Sequence, residues 1–312
     1  MAVTLAESAK LSQDQMRRGV VELFVQESPV LDRIPFMDIN GNAYKYNEEL
    51  TLPGVAWRAV NGSYTESTGT VNPKTESLYI LGGDADVDRF VQTTRSNLND
   101  QRALQTRAKV KAMSYAFQDA FINGDTGSDP NQIDGLKVRL TGAQVLTAAT
   151  NGLGPVAGGH DFFDALDALM AAVKGGPDAL YLNAQIRAKI RSSARRLGGW
   201  QTYQEIATGK ILESYNGVPL LDIGEKPDGS LIIPQNETVG SSSVTSSIYA
   251  VKWGAGEEAD QAITGLTNGG VMVDDLGQLQ EKPAYRTRVE AYFGMALFGG
   301  KAAARLKGVL NA

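Results

Sequence analysis

The stretch from Tyr44 to Leu81 constrains the fold most. It is rich in Thr, Val, Tyr, Gly and Asn. Asn40-Gly41 and Asn61-Gly62 are turn signals, because both residue types tolerate positive φ. Residues Thr75 to Leu81 read as a strand that becomes more buried along its length. The pattern predicts a long β-hairpin with a polar tip between about Trp57 and Lys74. The tip holds little apolar material from which to build a core of its own. On an isolated chain such a hairpin loses conformational entropy with few compensating contacts. A surface on another subunit would supply them.

The rest of the chain reads as an α+β protein. Ser12 and Gln15 have capping-box spacing, and Met16, Val20, Leu23 and Phe24 follow at helical intervals until Pro29 closes the pattern. This amphipathic helix either packs on its own core or reaches a neighbouring subunit. A longer helix starts near Asn97 or Asn99 and ends at Asn123-Gly124. Val110, Met113, Phe117 and Phe121 form its apolar stripe, with Leu104, Ala108 and Ala112 widening it. At 1.5 Å per residue it would be a rod of roughly 38 Å, which reads as a scaffold spine. Residues 125–159 are loop-rich, with one short strand near Leu136–Leu140. Asp161 caps a helix carrying Phe162, Leu166, Leu169 and Val173. Ala179–Leu182 is a buried-type strand, and Asn183 caps a further helix through Ile186, Ile190 and Ala194. Strand-like pieces follow at Val218–Ile223, Leu231–Ile233 and Ser247–Lys252. Near the end Arg288, Glu290 and Tyr292 alternate with Val289, Ala291 and Phe293, as in a strand with one buried face.

Composition removes much chemistry. The chain has 312 residues, enough for about two domains, and 42% of them are hydrophobic. It has no cysteine, which excludes disulfides, thiol nucleophiles and Cys-ligated metal. It has one histidine, His160, too few for a His-rich metal centre. Thirty basic residues against 35 acidic ones give a net charge of −5, not the excess expected of a chain that grips nucleic acid. No apolar run approaches the ~18 residues of a membrane span. Residues Met1 to Ser12 hold no signal-peptide core, so the protein is expected to be made and kept in a cytoplasm.

The candidate motifs are weak. Asp84, Asp86 and Asp88 share one face of a strand and mimic the opening of a calcium loop. Arg89 stands where that loop needs Gly and Arg95 where it needs Glu, so a solvated or Arg-paired face is the better reading. Asp125 and Asp129 fail the same test at Pro130. His160 lies in a glycine loop without any nucleophile elbow. Gly152-Leu153-Gly154 and Gly158 are misplaced for a dinucleotide loop. Arg187, Lys189, Arg191, Arg195 and Arg196 make a basic helix whose charges are expected to spread around it, as a solvated face or as intersubunit salt bridges. No residue is proposed as catalytic, cofactor-binding or metal-ligating.

The order of elements resembles the Hong Kong 97-like major capsid protein of tailed bacteriophages. Local phrases are similar to those of actinobacterial phages. They are Leu11-Ser12-Gln13-Asp14-Gln15 with Arg17-Arg18-Gly19-Val20, and Pro29-Val30-Leu31-Asp32-Arg33-Ile34-Pro35. Two more are Tyr64-Thr65-Glu66-Ser67-Thr68-Gly69-Thr70-Val71-Asn72 and Gly82-Gly83-Asp84-Ala85-Asp86-Val87-Asp88. The resemblance covers essentially the whole chain. It implies an N-terminal arm and helix (1–43), an extended loop lying over a neighbour (44–82) and a peripheral domain with the spine helix (83–150). An α+β axial domain (151–282) and a return to the peripheral domain (283–312) would follow. It implies pentamers and hexamers that close into an icosahedral shell around double-stranded DNA, and no enzyme activity. Expected partners are the chain itself, portal and decoration proteins and, because the arm begins at once, a separate scaffolding protein. Its expected place is the virion capsid, with the bacterial host cytoplasm during assembly. An encapsulin-like nanocompartment shell is the alternative. Lys74 is the one plausible donor for an isopeptide cross-link by position, but its partners cannot be identified and cross-linking is not expected. Trp57 and Arg58 are the leading intersubunit contacts, because both residue types are enriched at interface hot spots. Glu66, Lys74, Arg187, Arg191 and Arg195 complete the candidates.

Overall fold

The computed structural model describes residues 28–95, 101–198, 201–204, 211–226, 228–254 and 261–311. The strands are β1 (Phe36–Asp38), β2 (Ala43–Thr51), β3 (Thr70–Ser77), β4 (Tyr79–Asp88), β5 (Val145–Thr147), β6 (Ala179–Leu182) and β7 (Gln201–Gln204). They continue as β8 (Ile211–Tyr215), β9 (Val218–Asp222), β10 (Glu237–Val239), β11 (Ser242–Val251), β12 (Ala262–Gln278), β13 (Ala284–Phe298) and β14 (Ala303–Leu310). The helices are α1 (Arg89–Arg95), α2 (Gln101–Asn123), α3 (Leu136–Arg139), α4 (Pro155–Gly158), α5 (His160–Ala172) and α6 (Ala184–Arg196).

Two sheets share one core. The first has the order β1-β12-β13-β4, and the second runs β5-β14-β11-β6-β9-β8-β7 with β10 beside β11. On the first sheet, Ala85 and Val87 of β4 and Val289, Ala291 and Phe293 of β13 point inward. The spine helix α2 lies on them through Val110, Met113, Phe117 and Phe121, all buried. The rings of Phe117 and Phe293 meet at 5.1 Å, and Phe36 of β1 adds a third ring 5.5 Å from Phe293. Strand β6 is buried at every position. Leu180 and Leu182 face a cluster formed with Phe162, Leu166 and Leu169 of α5 and Ile186 and Ile190 of α6. Ala179 and Tyr181 face the opposite way, into the core under α2. A strand covered on both faces reads as a continuous apolar run, which is how it was legible.

Several expectations hold and others need correction. Asn183 caps α6, its side chain accepting from Ile186 N at 2.8 Å. Leu104, Ala108 and Ala112 do not widen the buried stripe of α2. They are exposed, Leu104 at 49%, and the stripe widens instead through Thr106, Ser114, Gln118 and Ile122. The segment expected as a strand near Leu136–Leu140 is the short helix α3. Leu136 and Leu140 are both buried at a spacing of four, which a helix allows, while Val138 between them is exposed. Asp161 is not the cap of α5; Gly159 is, and Asp161 lies in the first turn, where a carboxylate favours the helix dipole. Residues Leu231–Ile233 form no strand, only an isolated bridge from Leu231 to Glu225. The expected helix before Pro29 lies outside the described residues.

One expected boundary differs from the sheets. The segment 151–282 contains β12 and the segment 283–312 contains β14. Yet β12 pairs antiparallel with β13 in the first sheet, and β14 pairs with β11 in the second. A cut at 282/283 would divide a hairpin whose strands share their ladder.

These burial differences set a test of packing. Phe121→Ala removes a ring from the shared core and is expected to cost roughly 3–5 kcal/mol. Leu104→Ala, on the outer face of the same helix, is expected to cost under about 0.5 kcal/mol. Urea unfolding of the two variants checks the contrast; equal losses would contradict the orientation of α2.

Candidate functional site, the hairpin and its root

Strands β2 and β3 pair from Ala43–Ser77 to Thr51–Thr70, where the two threonine hydroxyls meet at 2.6 Å. Because the ladder covers Thr70 to Lys74, the tip is residues 52–69, not the expected 57–74. Every residue from Thr51 to Pro73 is exposed. A few bonds brace the tip from within. Ser67 Oγ donates to Gly54 O at 3.0 Å, and Gly62 N donates to Ala59 O at 3.0 Å, with Asn61 at φ 67. The Arg58 guanidinium lies 5.3 Å from the Tyr64 ring centre. None of this covers the apolar side chains. Trp57 is 103% exposed, Val55 98% and Val60 90%, with Leu52 and Tyr64 also largely open. The tip thus holds five large apolar or aromatic side chains that its own chain leaves uncovered.

The root is built differently. Glu76, near the end of β3, receives a two-pronged ion pair from Arg139 of α3, with Nη1 to Oε1 at 2.6 Å and Nη2 to Oε2 at 2.7 Å. The two side chains are only 14% and 16% exposed. Arg139 Nε donates onward to Asp134 O at 2.8 Å, which fixes the guanidinium plane. Tyr46 of β2 donates its hydroxyl to Leu297 O at 3.1 Å and lies 3.4 Å from Glu76 Oε1. Burial and the Glu76 charge push the Tyr46 hydroxyl well above the usual tyrosine range, so it remains a donor. The rings of Tyr44 and Tyr46 pack against Phe298 at 6.2 and 4.9 Å. Lys74 is not at the tip. It lies on β3 and pairs with Glu48 across the ribbon at 2.7 Å.

The other sequence candidates separate. Trp57, Arg58 and Glu66 share the exposed tip. Arg187 and Arg191 both approach Glu213 of β8, at 3.8 and 2.8 Å, and Arg195 follows four residues on. These three form a row along one side of α6, because a spacing of four returns to nearly the same face, while Lys189 and Arg196 fall on the other side, so the five charges together spread around the helix. Asp84 and Asp86 form a ladder on the outer face of the first sheet with Arg288, Arg286 and Lys282, at 2.6–2.7 Å for the closest pairs. Asp88 accepts from Phe90 N at 2.7 Å at the start of α1. His160 is the exposed first residue of α5. Among the described residues no three His, Cys, Asp or Glu side chains stand close enough to share a metal ion. No helix among them is long and apolar enough to cross a membrane.

Residues 12–161 match the family model described as major capsid protein GP7. The holo-SrpI encapsulin complex from Synechococcus elongatus has a similar fold, with a TM-score of 0.68 at 18% identity over 91% of this chain and 88% of that one. The capsid of a native GTA particle gives 0.65 at 14% identity, over 91% and 90% of the two chains. A structure from Mycobacterium phage Bobi gives 0.60 at 17% identity, over 98% of each. The chain has an α+β capsid fold. In sequence over its first half, and in fold throughout, it resembles the major capsid proteins of bacteriophages. A comparison with curated proteins finds no match.

The Asp84–Asp86 ladder makes stability depend on pH. A hydrogen bond from Arg288 lowers the Asp84 pKa, and bonds from Arg286 and then Lys282 lower that of Asp86. Unfolding returns both to the ordinary carboxylate range. Their contribution is thus complete at neutral pH and is lost as pH falls from about 4 toward the lower folded values. Both groups are partly exposed, so the effect is modest. The urea midpoint is expected to drop below pH 4, and to drop less in the Asp84→Asn/Asp86→Asn double variant. Equal acid sensitivity in both would contradict this assignment.

Proposed function

We propose that this chain is the structural major capsid protein of a tailed bacteriophage, which assembles with copies of itself into a shell around double-stranded DNA. The observation that carries the reading is the hairpin tip: residues 52–69 hold Leu52, Val55, Trp57, Val60 and Tyr64 in water on a capsid fold. In the assembled shell the tip lies on a neighbouring subunit, and Trp57 and Arg58 make its central contacts. Glu66 and the Arg187–Arg191–Arg195 row supply polar contacts at the rim. The part of residues 151–282 built on α5, α6 and the second sheet clusters around the symmetry axes of pentamers and hexamers.

Assembly is the mechanism. Each contact is weak, and symmetry multiplies it, since every subunit is held by several others. The net charge of −5 suits a wall that confines DNA and does not grip it. A scaffolding protein, a portal and decoration proteins complete the particle. The location is the virion, reached by assembly in the host cytoplasm. The fold likeness to an encapsulin supports a second reading, a nanocompartment shell around cargo proteins. The family match over residues 12–161 favours the phage reading.

Negative-stain microscopy of the chain, expressed with and without its genomic neighbours, tests the proposal. Closed polyhedral shells or hollow tubes are expected; monomers under both conditions would contradict it. Shells containing a cargo enzyme and no terminase, portal or scaffold genes nearby would transfer the reading to the nanocompartment. Trp57→Ala is expected to lower the yield of closed particles at least about tenfold, the size of an interface hot spot. It should leave the unfolding midpoint of the isolated chain unchanged, because Trp57 is fully exposed there.

A further inference from the structure

We propose that the joint formed by Glu76, Arg139 and Tyr46 is a positioning device that fixes the angle at which the hairpin leaves the body. The tip is then held in one pose before any neighbour binds. This deepens the assembly reading and rests on it for its purpose, though not for its test.

The hairpin joins the body through one narrow base, where Leu78 N donates to Asn42 O at 2.9 Å. That bond closes the ribbon and leaves its tilt open. The side-chain attachments described for the ribbon lie within its first few residues. Glu76 grips Arg139 of α3, and Tyr46 reaches the end of β13 through Leu297 O and the Phe298 ring. The Glu48–Lys74 pair lies within the ribbon and adds stiffness but no attachment. Two separate parts of the body thus hold the base, and two grips fix an angle where one would be a pivot.

The fork itself has a rigid foundation. Arg139 Nε is held by Asp134 O, and Asp134 Oδ1 accepts from Thr126 N at 2.8 Å. A two-pronged guanidinium–carboxylate pair has a set plane, unlike the adaptable contact of two apolar groups. Leverage makes the angle matter. From Tyr44 to Thr51 the ribbon extends roughly 24 Å at about 3.4 Å per residue, so a tilt of about 10° at the base moves its end by about 4 Å. A displacement of that size would take Trp57 off any contact of side-chain dimensions. Fixing the pose in advance removes an ordering cost from every assembly step.

The absence of native cysteine allows a direct measurement. Spin labels on Ser63→Cys at the tip and Ala168→Cys on α5 report the angle as an intramolecular distance. The measurement uses the unassembled full chain or, if the chain assembles, labelled copies diluted among unlabelled ones. One narrow distribution is expected for the parent. Glu76→Gln should at least double its width, and Arg139→Lys, which keeps the charge and loses the fork, should give an intermediate width. Parent-like distributions in both variants, with folding confirmed by circular dichroism, would overturn the proposal. If Glu76→Gln does not fold, a parent-like distribution in Arg139→Lys alone would overturn it. The distance is internal to one chain, so a chain that failed to assemble would refute the assembly reading and leave this result standing.

Discussion

A two-stranded ribbon has no interior. Each face and each edge of it can be covered only by something outside it, and isolated ribbons are marginal in water. Here the ribbon ends in residues 52–69, all exposed, with a tryptophan, two valines and a leucine among them. Water is a poor home for that surface, at roughly 25 cal/mol per Å² of apolar area left uncovered. The ribbon persists because its root is attached to a body with a packed core. The rest of the architecture can be understood from that division between a well-packed body and a projecting element that its own chain does not cover.

The body earns its rigidity from strands buried on both faces. β6 separates two apolar clusters, one under α5 and α6 and one under α2, so neither sheet can move far without disturbing the other. The second cluster also receives Phe36 of β1 and Phe293 of β13, which ties the first sheet to the second. Arg139 and Phe298 project from this body toward the root, where Tyr44, Tyr46 and Glu76 meet them. Packing within the body, directional bonds at the root and open apolar surface at the tip thus follow one another along the chain. The packed body supports the root, and the root carries the open surface.

Much of this was legible in the sequence where the determinants are local. The Asn-Gly turns and the alternation after Thr75 mark the hairpin. The apolar spacing of Val110, Met113, Phe117 and Phe121 marks the spine, and Asn183 marks its helix start. The determinants that lie far apart were not legible. Glu76 and Arg139 are separated by 63 residues, and no local pattern links a strand end to a short helix. The long strand β12 was also missed, because Gly269, Gly270 and Gly277 look like turn residues. They adopt positive φ where the register with β13 shifts, so they are bulges within a continuous strand. The boundary at 282/283, which the resemblance implied, falls inside the hairpin of β12 and β13. The tip builds no core of its own, as its composition implies. Leu52, Val55 and Val60 are scattered among Gly, Ser and Thr, and their joint exposure emerges only when the loop is folded.

The central claim is that residues 52–69 are completed by a neighbouring subunit. Amide hydrogen exchange measured on this segment in unassembled chains and in closed particles tests it most directly. Exchange is expected to be fast in the unassembled chain and slowed at least about tenfold in particles, with Trp57 and its neighbours most protected. Equally fast exchange in well-formed particles would contradict the claim and leave the hairpin as a surface projection without a structural role in assembly.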